Sequence, residues 1–212
     1  MEKVLIIGAN GNTGRILSEI ISKSDHYEPV AMLRKESQKD LFEKKEIKTC
    51  LGDLEQDFKS CLDGVDKVIF AAGSGGHTGD DKTEAVDKKG AIKAIDYAKA
   101  HKIKKFVILS SMGTDTPEKV PGLETYLKAK KAADEHLKSS GLTYSILRPG
   151  ALNNEKGTSK IKLTDQPSQS DSIPREDVAH ALAYCLDDKN AKNKIFNFVS
   201  GSQDLLKTIE NL

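Results

Sequence analysis

The chain has 212 residues, with 33 basic and 32 acidic side chains for a formal net charge of +1. A length of this order can bury roughly 70% of its unfolded surface in one core, while the near balance of charge gives no long-range field to draw nucleic acid or anionic lipid. No apolar run approaches the roughly 20 residues of a membrane span, and no basic-then-apolar leader opens the chain, so one domain over 1–212, cytoplasmic and unattached to membrane, is the expectation.

The first apolar run, Val4-Leu5-Ile6-Ile7, has the length of a buried strand and gives way at once to Gly8, Gly11 and Gly14, spaced G-x-x-G-x-x-G. Beyond them Ile16, Leu17, Ile20 and Ile21 recur at helical spacing, which predicts a helix from Thr13 to about Ser24. Strand, tight turn and helix in this order are the context of a dinucleotide site. Gly8 permits the sharp exit, Gly11 lets backbone approach a pyrophosphate, and Gly14 allows close packing of helix on strand. The diphosphate would rest on the helix N-terminus, with Asn10, Asn12 and Thr13 in the same turn.

A second strand, 28–33, ends in Arg34-Lys35. In a nucleotide-binding sheet this tip faces the adenosine ribose, where an acid would bond a free 2′-hydroxyl and a cation would pair with a 2′-phosphate. Arg34 therefore favours NADP over NAD, the alternative being the start of a polar loop. Residues 36–45 read as a short solvated helix, too charged for the core, and 47–51 as a third strand closed by Gly52-Asp53-Leu54. Asp53 either caps a following helix, 55–62, or reaches the adenine. The fourth strand, 65–73, ends in Ala71-Ala72-Gly73, small enough to leave room for a flat ring and sugar. The glycine-rich loop 73–82 lacks a G-K-[ST] ending and reads as a connection beside the cofactor.

A helix is expected from Thr83 to about Ala100 and a fifth strand over 104–111, ending in Ser110-Ser111. An irregular loop, 112–122, leads to a long helix, 123–140, and a sixth strand, 142–147, before Arg148-Pro149-Gly150. Residues 151–173 are polar, with one alternating patch at 160–164, and make the natural substrate-facing loop. A helix from about Pro174 to Leu186, a strand over 194–199 and a short closing helix complete the chain. Strands alternating with helices imply an α/β fold with a mainly parallel sheet, helices on both faces and ligand at the carboxyl ends of the strands.

Of the 33 basic residues only four are arginines, Arg15, Arg34, Arg148 and Arg175, and the lysines read mostly as solvating surface. Arg148 is expected to bind backbone or a carboxylate near the sheet edge. Cys50, Cys61 and Cys185 show no metal-type or C-x-x-C spacing and read as idle thiols; the five histidines share no metal-ligand spacing. No metal is expected.

Tyr126 and Lys130 stand one turn apart on a single helix face. An ammonium there favours the phenolate and suits Tyr126 to general acid or base work on a carbonyl–alcohol pair. A hydroxyl of Ser110 or Ser111, at the same sheet edge, could hold a substrate oxygen.

These residues resemble the short-chain dehydrogenase/reductase superfamily, in its small atypical branch of flavin/biliverdin-reductase-like and epimerase-like proteins. The resemblance spans nearly the whole chain and rests on Gly8, Gly11, Gly14, Arg34, Gly52-Asp53-Leu54, Ser110-Ser111, Tyr126-x-x-x-Lys130 and Arg148-Pro149-Gly150. It implies a Rossmann-type fold, Tyr126 as proton donor, Lys130 on the nicotinamide ribose, Ser110 or Ser111 orienting substrate, and backbone at Pro149 and Gly150 against the nicotinamide. The family's usual asparagine falls at Asp87, and residues 151–212 are too few for a bulky sugar nucleotide. The expectation is an NADPH-dependent oxidoreductase acting on a small carbonyl, quinone-like or flavin-like molecule, working as monomer or homodimer. Two other readings stand beside it: a non-catalytic NADP(H)-binding redox sensor and an epimerase-like enzyme.

Overall fold

A computed structural model describes residues 1–75, 78–165 and 172–212. Along the chain run β1 (Glu2–Ile7), α1 (Asn12–Ser22), β2 (Tyr27–Leu33), α2 (Asp40–Glu43), β3 (Lys48–Leu51), β4 (Lys67–Phe70) and α3 (Asp80–Lys82). A π-helical segment (Thr83–Gly90) joins α3 to α4 (Ala91–Ala100), followed by β5 (Lys105–Leu109), α5 (Glu124–Ser139) and β6 (Tyr144–Pro149). The remainder comprises β7 (Ala151–Asn153), β8 (Lys160–Leu163), β9 (Ser172–Pro174), α6 (Arg175–Tyr184), β10 (Lys194–Ser200), β11 (Gln203–Asp204) and α7 (Leu205–Glu210).

Among the described residues the main sheet has the order β11-β8-β10-β6-β5-β4-β1-β2-β3. All neighbours from β3 to β10 are parallel, and only β8 and β11 pair antiparallel at the edge. The period of two on β1 divides the core: Val4 and Ile6 join Leu17, Ile21 and Val178 on one face, while Leu5 and Ile7 join Ala94, Ile95 and Leu137 on the other. Helices therefore cover both faces, as a sheet of buried parallel strands requires. Because the strands run the same way, the residues after β1, β2, β3, β4, β5 and β6 all emerge at one edge.

Several sequence expectations are corrected. The segment 55–62 is not a helix: Asp53 Oδ1 accepts from the Glu55 amide at 2.9 Å and Asp57 Oδ1 from the Lys59 amide at 2.9 Å. These two Asx turns hold backbone donors that a helix would need, leaving one 3₁₀ turn over Lys59–Leu62. The region 36–45 is not all solvated, since Phe42 is buried in the core. A two-stranded parallel sheet, β7 with β9, was not expected. Residues 166–171 of the substrate-facing loop, and Gly76 and His77 of the glycine-rich loop, lie outside the described residues.

The cysteines also depart from expectation. The Asx turns fold the chain back on β3 and bring Cys50 and Cys61 to a Cα–Cα distance of 5.8 Å, where they form a disulfide; Cys185 is free and buried. Nor are all lysines surface groups. Lys67 and Lys105, at the starts of β4 and β5, are buried and donate to carbonyls of the turn that follows α6: Lys67 to Leu186 O at 2.8 Å, Lys105 to Asp187 O at 2.6 Å and Asn190 O at 2.7 Å. The two ammonium groups satisfy buried carbonyls of an irregular turn that has no ladder partner to supply donors.

Candidate active site

The glycine turn opens the ligand edge. Gly8 leaves β1 at φ +90°, and a Cβ there would stand 2.5 Å from Ala72 N. At Gly14 a Cβ would lie 2.2 Å from Gly8 O, so α1 packs directly on the turn. Gly11 differs, with an ordinary φ of −71° and only the Gly8 carbonyl, 3.3 Å from an added Cβ, close by. Glycine at 11 thus has little internal cause. The turn feeds α1 with no side-chain cap and no acid in its first turn, leaving a positive helix end open to an anion.

Arg15, in that first turn, donates from Nε to Asn10 O and Asn10 Oδ1, both at 3.1 Å, and from Nη2 to Asn10 Oδ1 at 2.8 Å. At the tip of β2, Gln38 Oε1 accepts the amides of Arg34 at 3.1 Å and Lys35 at 3.2 Å, fixing the loop backbone. The exposed Arg34 guanidinium has no side-chain partner among the described residues. Asp53 spends one oxygen on its own Asx turn, and Leu54 beside it is buried.

Deeper in, four elements converge on Lys130. This lysine is 2% exposed, and its Nζ lies 3.0 Å from Asp87 Oδ1, 3.3 Å from Ala72 O and 3.4 Å from Leu109 O. The same Nζ sits 5.6 Å from the ring centroid of Tyr126, one turn back on α5. Asp87 is fully buried in the π-helical segment, and its other oxygen accepts the Ser74 amide at 2.9 Å. Burial alone would lower the lysine's pKa, but Tyr126, Asp87 and Asp134 outweigh it and hold the ammonium above its ordinary value. Tyr126 is half-buried, and its hydroxyl makes no hydrogen bond among the described residues. The structure therefore brings Tyr126, Lys130, Asp87 and Ala72 together.

The two serines point differently. Ser110 is buried and donates to Asp134 Oδ2 at 2.9 Å, whereas Ser111 is half-buried and donates only to Met112 O at 3.2 Å. Asp134 was missed in the sequence, although it stands one turn beyond Lys130 on the buried face of α5. It also receives Arg148, whose Nε and Nη2 each lie 2.9 Å from Oδ2. Arg148 Nη1 meanwhile reaches both oxygens of Asp115 at 2.9 Å, tying the loop after β5 to α5 and β6. Burial raises the Asp134 carboxyl, against the pull of Arg148 and Ser110. Beyond Arg148, Pro149 O accepts the Met112 amide at 3.0 Å and the Gly150 amide donates to Phe198 O at 3.1 Å, at the same edge. Among the described residues no cluster of three His, Cys, Asp or Glu side chains could hold a metal, and no helix is long and apolar enough to cross a membrane.

A parallel, doubly wound sheet with a glycine turn on its first strand, an uncapped helix N-terminus and a Tyr–Lys pair at the carboxyl edge defines an atypical short-chain-dehydrogenase-like protein that binds a nicotinamide dinucleotide. The chain belongs to the NAD(P)H-binding family, whose model matches residues 8–189. It is 38% identical over 214 residues to the uncharacterized sugar epimerase YhfK of Bacillus subtilis, covering 99% of this chain and 100% of that one. Among solved structures, a putative NAD-dependent epimerase/dehydratase from Bacillus halodurans superposes with a TM-score of 0.93 at 41% identity over 100% of both chains. The oxidoreductase ylbE from Lactococcus lactis gives 0.85 at 29% identity, over 99% of this chain and 96% of that one.

Proposed function

We propose that the protein is an NADP(H)-dependent reductase of a small carbonyl, quinone-like or flavin-like molecule. The observation that carries this reading is the buried Lys130–Asp87 pair beneath a tyrosine whose hydroxyl is unengaged. The pyrophosphate of the cofactor rests on the turn from Gly8 to Gly14, with Asn10, Asn12 and Thr13. Arg34 receives a 2′-phosphate, Asp53 and Leu54 border the adenine, and Ala71, Ala72, Gly73, Pro149 and Gly150 border the nicotinamide and its ribose. When bound, the cofactor supplies hydride.

The chain's own groups do the rest. Tyr126 donates a proton to the substrate oxygen, Lys130 holds the cofactor ribose and the phenol in place, and Ser111, whose hydroxyl has only Met112 O to leave, turns it to steady charge on that oxygen. Ser110 serves from behind through Asp134. Asp87 fixes Lys130 and the Ser74 amide. Of the substrate-facing loop, the described residues 151–165 border the substrate side, and the molecule works without nucleic acid, membrane or metal.

The test is NADPH oxidation against aldehydes, quinones and flavins by the wild type and Tyr126→Phe. A loss of about 10²–10⁴ in turnover on a carbonyl, with NADPH affinity kept, is expected from losing a general acid. Full turnover in the variant would remove Tyr126 from the chemistry. The epimerase names borne by two relatives favour a second reading, in which oxidised cofactor stays tightly bound through the cycle. Protein purified free of nucleotide counts against that reading. Cofactor binding without turnover on any substrate class would favour the redox-sensing module.

A further inference from the structure

We infer that Cys50 and Cys61 form a thiol–disulfide exchange site, opened by a dithiol reductant, which sets the affinity of the adenine end of the cofactor cleft. This control rests on the proposed NADP(H) site and adds to it a role for the bridged cysteines.

The bridge sits within reach of a reductant. β3 is the last strand of the main sheet and pairs with β2 on one side only among the described residues. Cys50 is half-buried on this edge strand, next to the exposed Leu51, whereas Cys61 is buried. Attack therefore falls on Cys50. A thiolate of the dithiol bonds Cys50 Sγ, the bond to Cys61 breaks, and Cys61 leaves as a thiolate that takes up the proton the attacking thiol gave up. The second thiol of the reductant then displaces Cys50, closing the reductant's own disulfide and returning Cys50 as a thiol, so that two electrons have passed to the protein. Leu51 O lies 3.4 Å from Cys61 Sγ, an acceptor already in place for the thiol so formed. Cys185 stays outside the exchange, because it is fully buried and burial pushes its thiol up to about 12.

The bridge holds the segment proposed to border the adenine. Asp53 and Leu54 lie between the two cysteines, whose sequence separation is 11. Cys50 stands opposite Met32 and Leu51 opposite Leu33, and the Gly52 amide donates to Leu33 O at 2.9 Å. A Cβ at Gly52 would stand 2.8 Å from Phe58 Cβ and 3.0 Å from Met32 Sδ, so the chain leaves β3 through a close-packed turn. Cys61 belongs to the apolar layer of Phe58, Leu62 and Ile95, and the bridge ties the four-residue β3 to that layer. Without it, β3 rests on its ladder with β2, and the start of the adenine border loosens. Lys93 Nζ still holds the middle of the segment, donating to Leu54 O at 3.1 Å and Gln56 O at 2.9 Å, which makes the change a local one. A chain of 212 residues with a core on both faces of its sheet does not need the staple that small secreted domains carry, which favours control as the use of the bridge.

A pinned border loses less freedom when the cofactor arrives, so the bridged form binds more tightly. Linkage makes the effect reciprocal: bound NADPH protects the bridge by the factor that the bridge adds to affinity.

Wild type is prepared oxidised and dithiothreitol-reduced, and alkylation in denaturant should count one and three thiols respectively. NADPH, and ADP as a probe without nicotinamide, are titrated into both forms by calorimetry well below their melting temperatures. Reduction should weaken both ligands by about fivefold or more, the lower end of ordinary coupling between sites. Cys50→Ser should show the reduced affinity with or without reductant. Hydrogen exchange should quicken at amides 52–57 on reduction while β1 keeps its protection, and NADPH should shift the equilibrium with dithiothreitol toward the bridge. Three thiols in oxidant-treated wild type, or equal affinities in the two redox states, overturn the control and leave the cofactor site standing. Weaker binding with β1 amides also exposed overturns it as well, since the loss is then general loosening. An oxidised protein that binds neither NADPH nor ADP removes the proposed cofactor site and this control with it.

Discussion

Lys130 Nζ lies 3.0 Å from Asp87 Oδ1, and the two groups reach each other from α5 and the π-helical segment with almost no exposure to water. Desolvated ions of opposite charge hold one another because neither has a solvent alternative.

Removing one partner should therefore be costly. Asp87→Ala is expected to destabilise the fold by about 3–5 kcal/mol, since it leaves an uncompensated buried ammonium. Asp87→Asn, which preserves shape and an oxygen facing Lys130, should lose less. Urea unfolding followed by circular dichroism checks the order; equal losses would show that charge alone carries the contribution of Asp87, and wild-type stability in Asp87→Asn would show that the charge is immaterial to the fold.

The glycines of the turn should separate stability from binding. Gly8→Ala would overlap Ala72 N and adopt a left-handed backbone, so a loss of about 3 kcal/mol is expected. Gly11→Ala meets no such obstacle, and its stability should stay within about 0.5 kcal/mol of wild type. Its NADPH affinity should fall about tenfold or more as a methyl enters the path of the ligand. Thermal melts alongside NADPH titration distinguish the two; a Gly11→Ala variant with wild-type affinity would mean that the backbone at 11 is not approached.

Burial pushes Lys105 down to about 8, so its charged form disfavours the fold. Below pH 8 the lysine is protonated in both folded and unfolded chains and the penalty is present in full. Between about 8 and 10.5 the folded chain releases this proton before the unfolded one does, and the penalty is relieved. Stability of the wild type relative to Lys105→Met should therefore rise across that window, by up to about 3 kcal/mol. Denaturant midpoints of both proteins at pH 7 and pH 10 give the comparison, and a constant difference would mean that Lys105 does not titrate there.

The Cys50–Cys61 disulfide closes a segment with a sequence separation of 11. A loop of that length is worth up to about 3 kcal/mol through the unfolded state. Dithiothreitol should lower the melting temperature of the wild type and leave that of Cys50→Ser unchanged. A wild type indifferent to reductant would contradict a stabilising role for the bridge.

What the sequence revealed followed from periodicity and turn chemistry. Val4 to Ile7 reads as a buried strand because its neighbours are apolar on both faces, and the glycine turn reads as a phosphate site because strand and helix flank it. Side chains that act across elements left no such mark. Asp134 resembles any charged residue of α5 until β6 brings Arg148 against it, and Arg15 looks like surface until Asn10 turns toward it. Local hydrogen bonds explain the lost helix at 55–62: Asp53 and Asp57 capture amides that periodicity alone assigns to helical partners. The π-helical segment was equally hidden, since a wider turn around Asp87 alters no residue type.

β5 begins with Lys105 against the turn that follows α6 and leads directly into Ser110, which bonds Asp134. Five residues of extended chain put roughly 17 Å between them, beyond the range over which substitutions usually couple. One edge of the sheet is thus riveted to the turn after α6 while the opposite edge carries the exposed turns and hydroxyls. An engineer could rebuild the reactive margin without loosening the foundation.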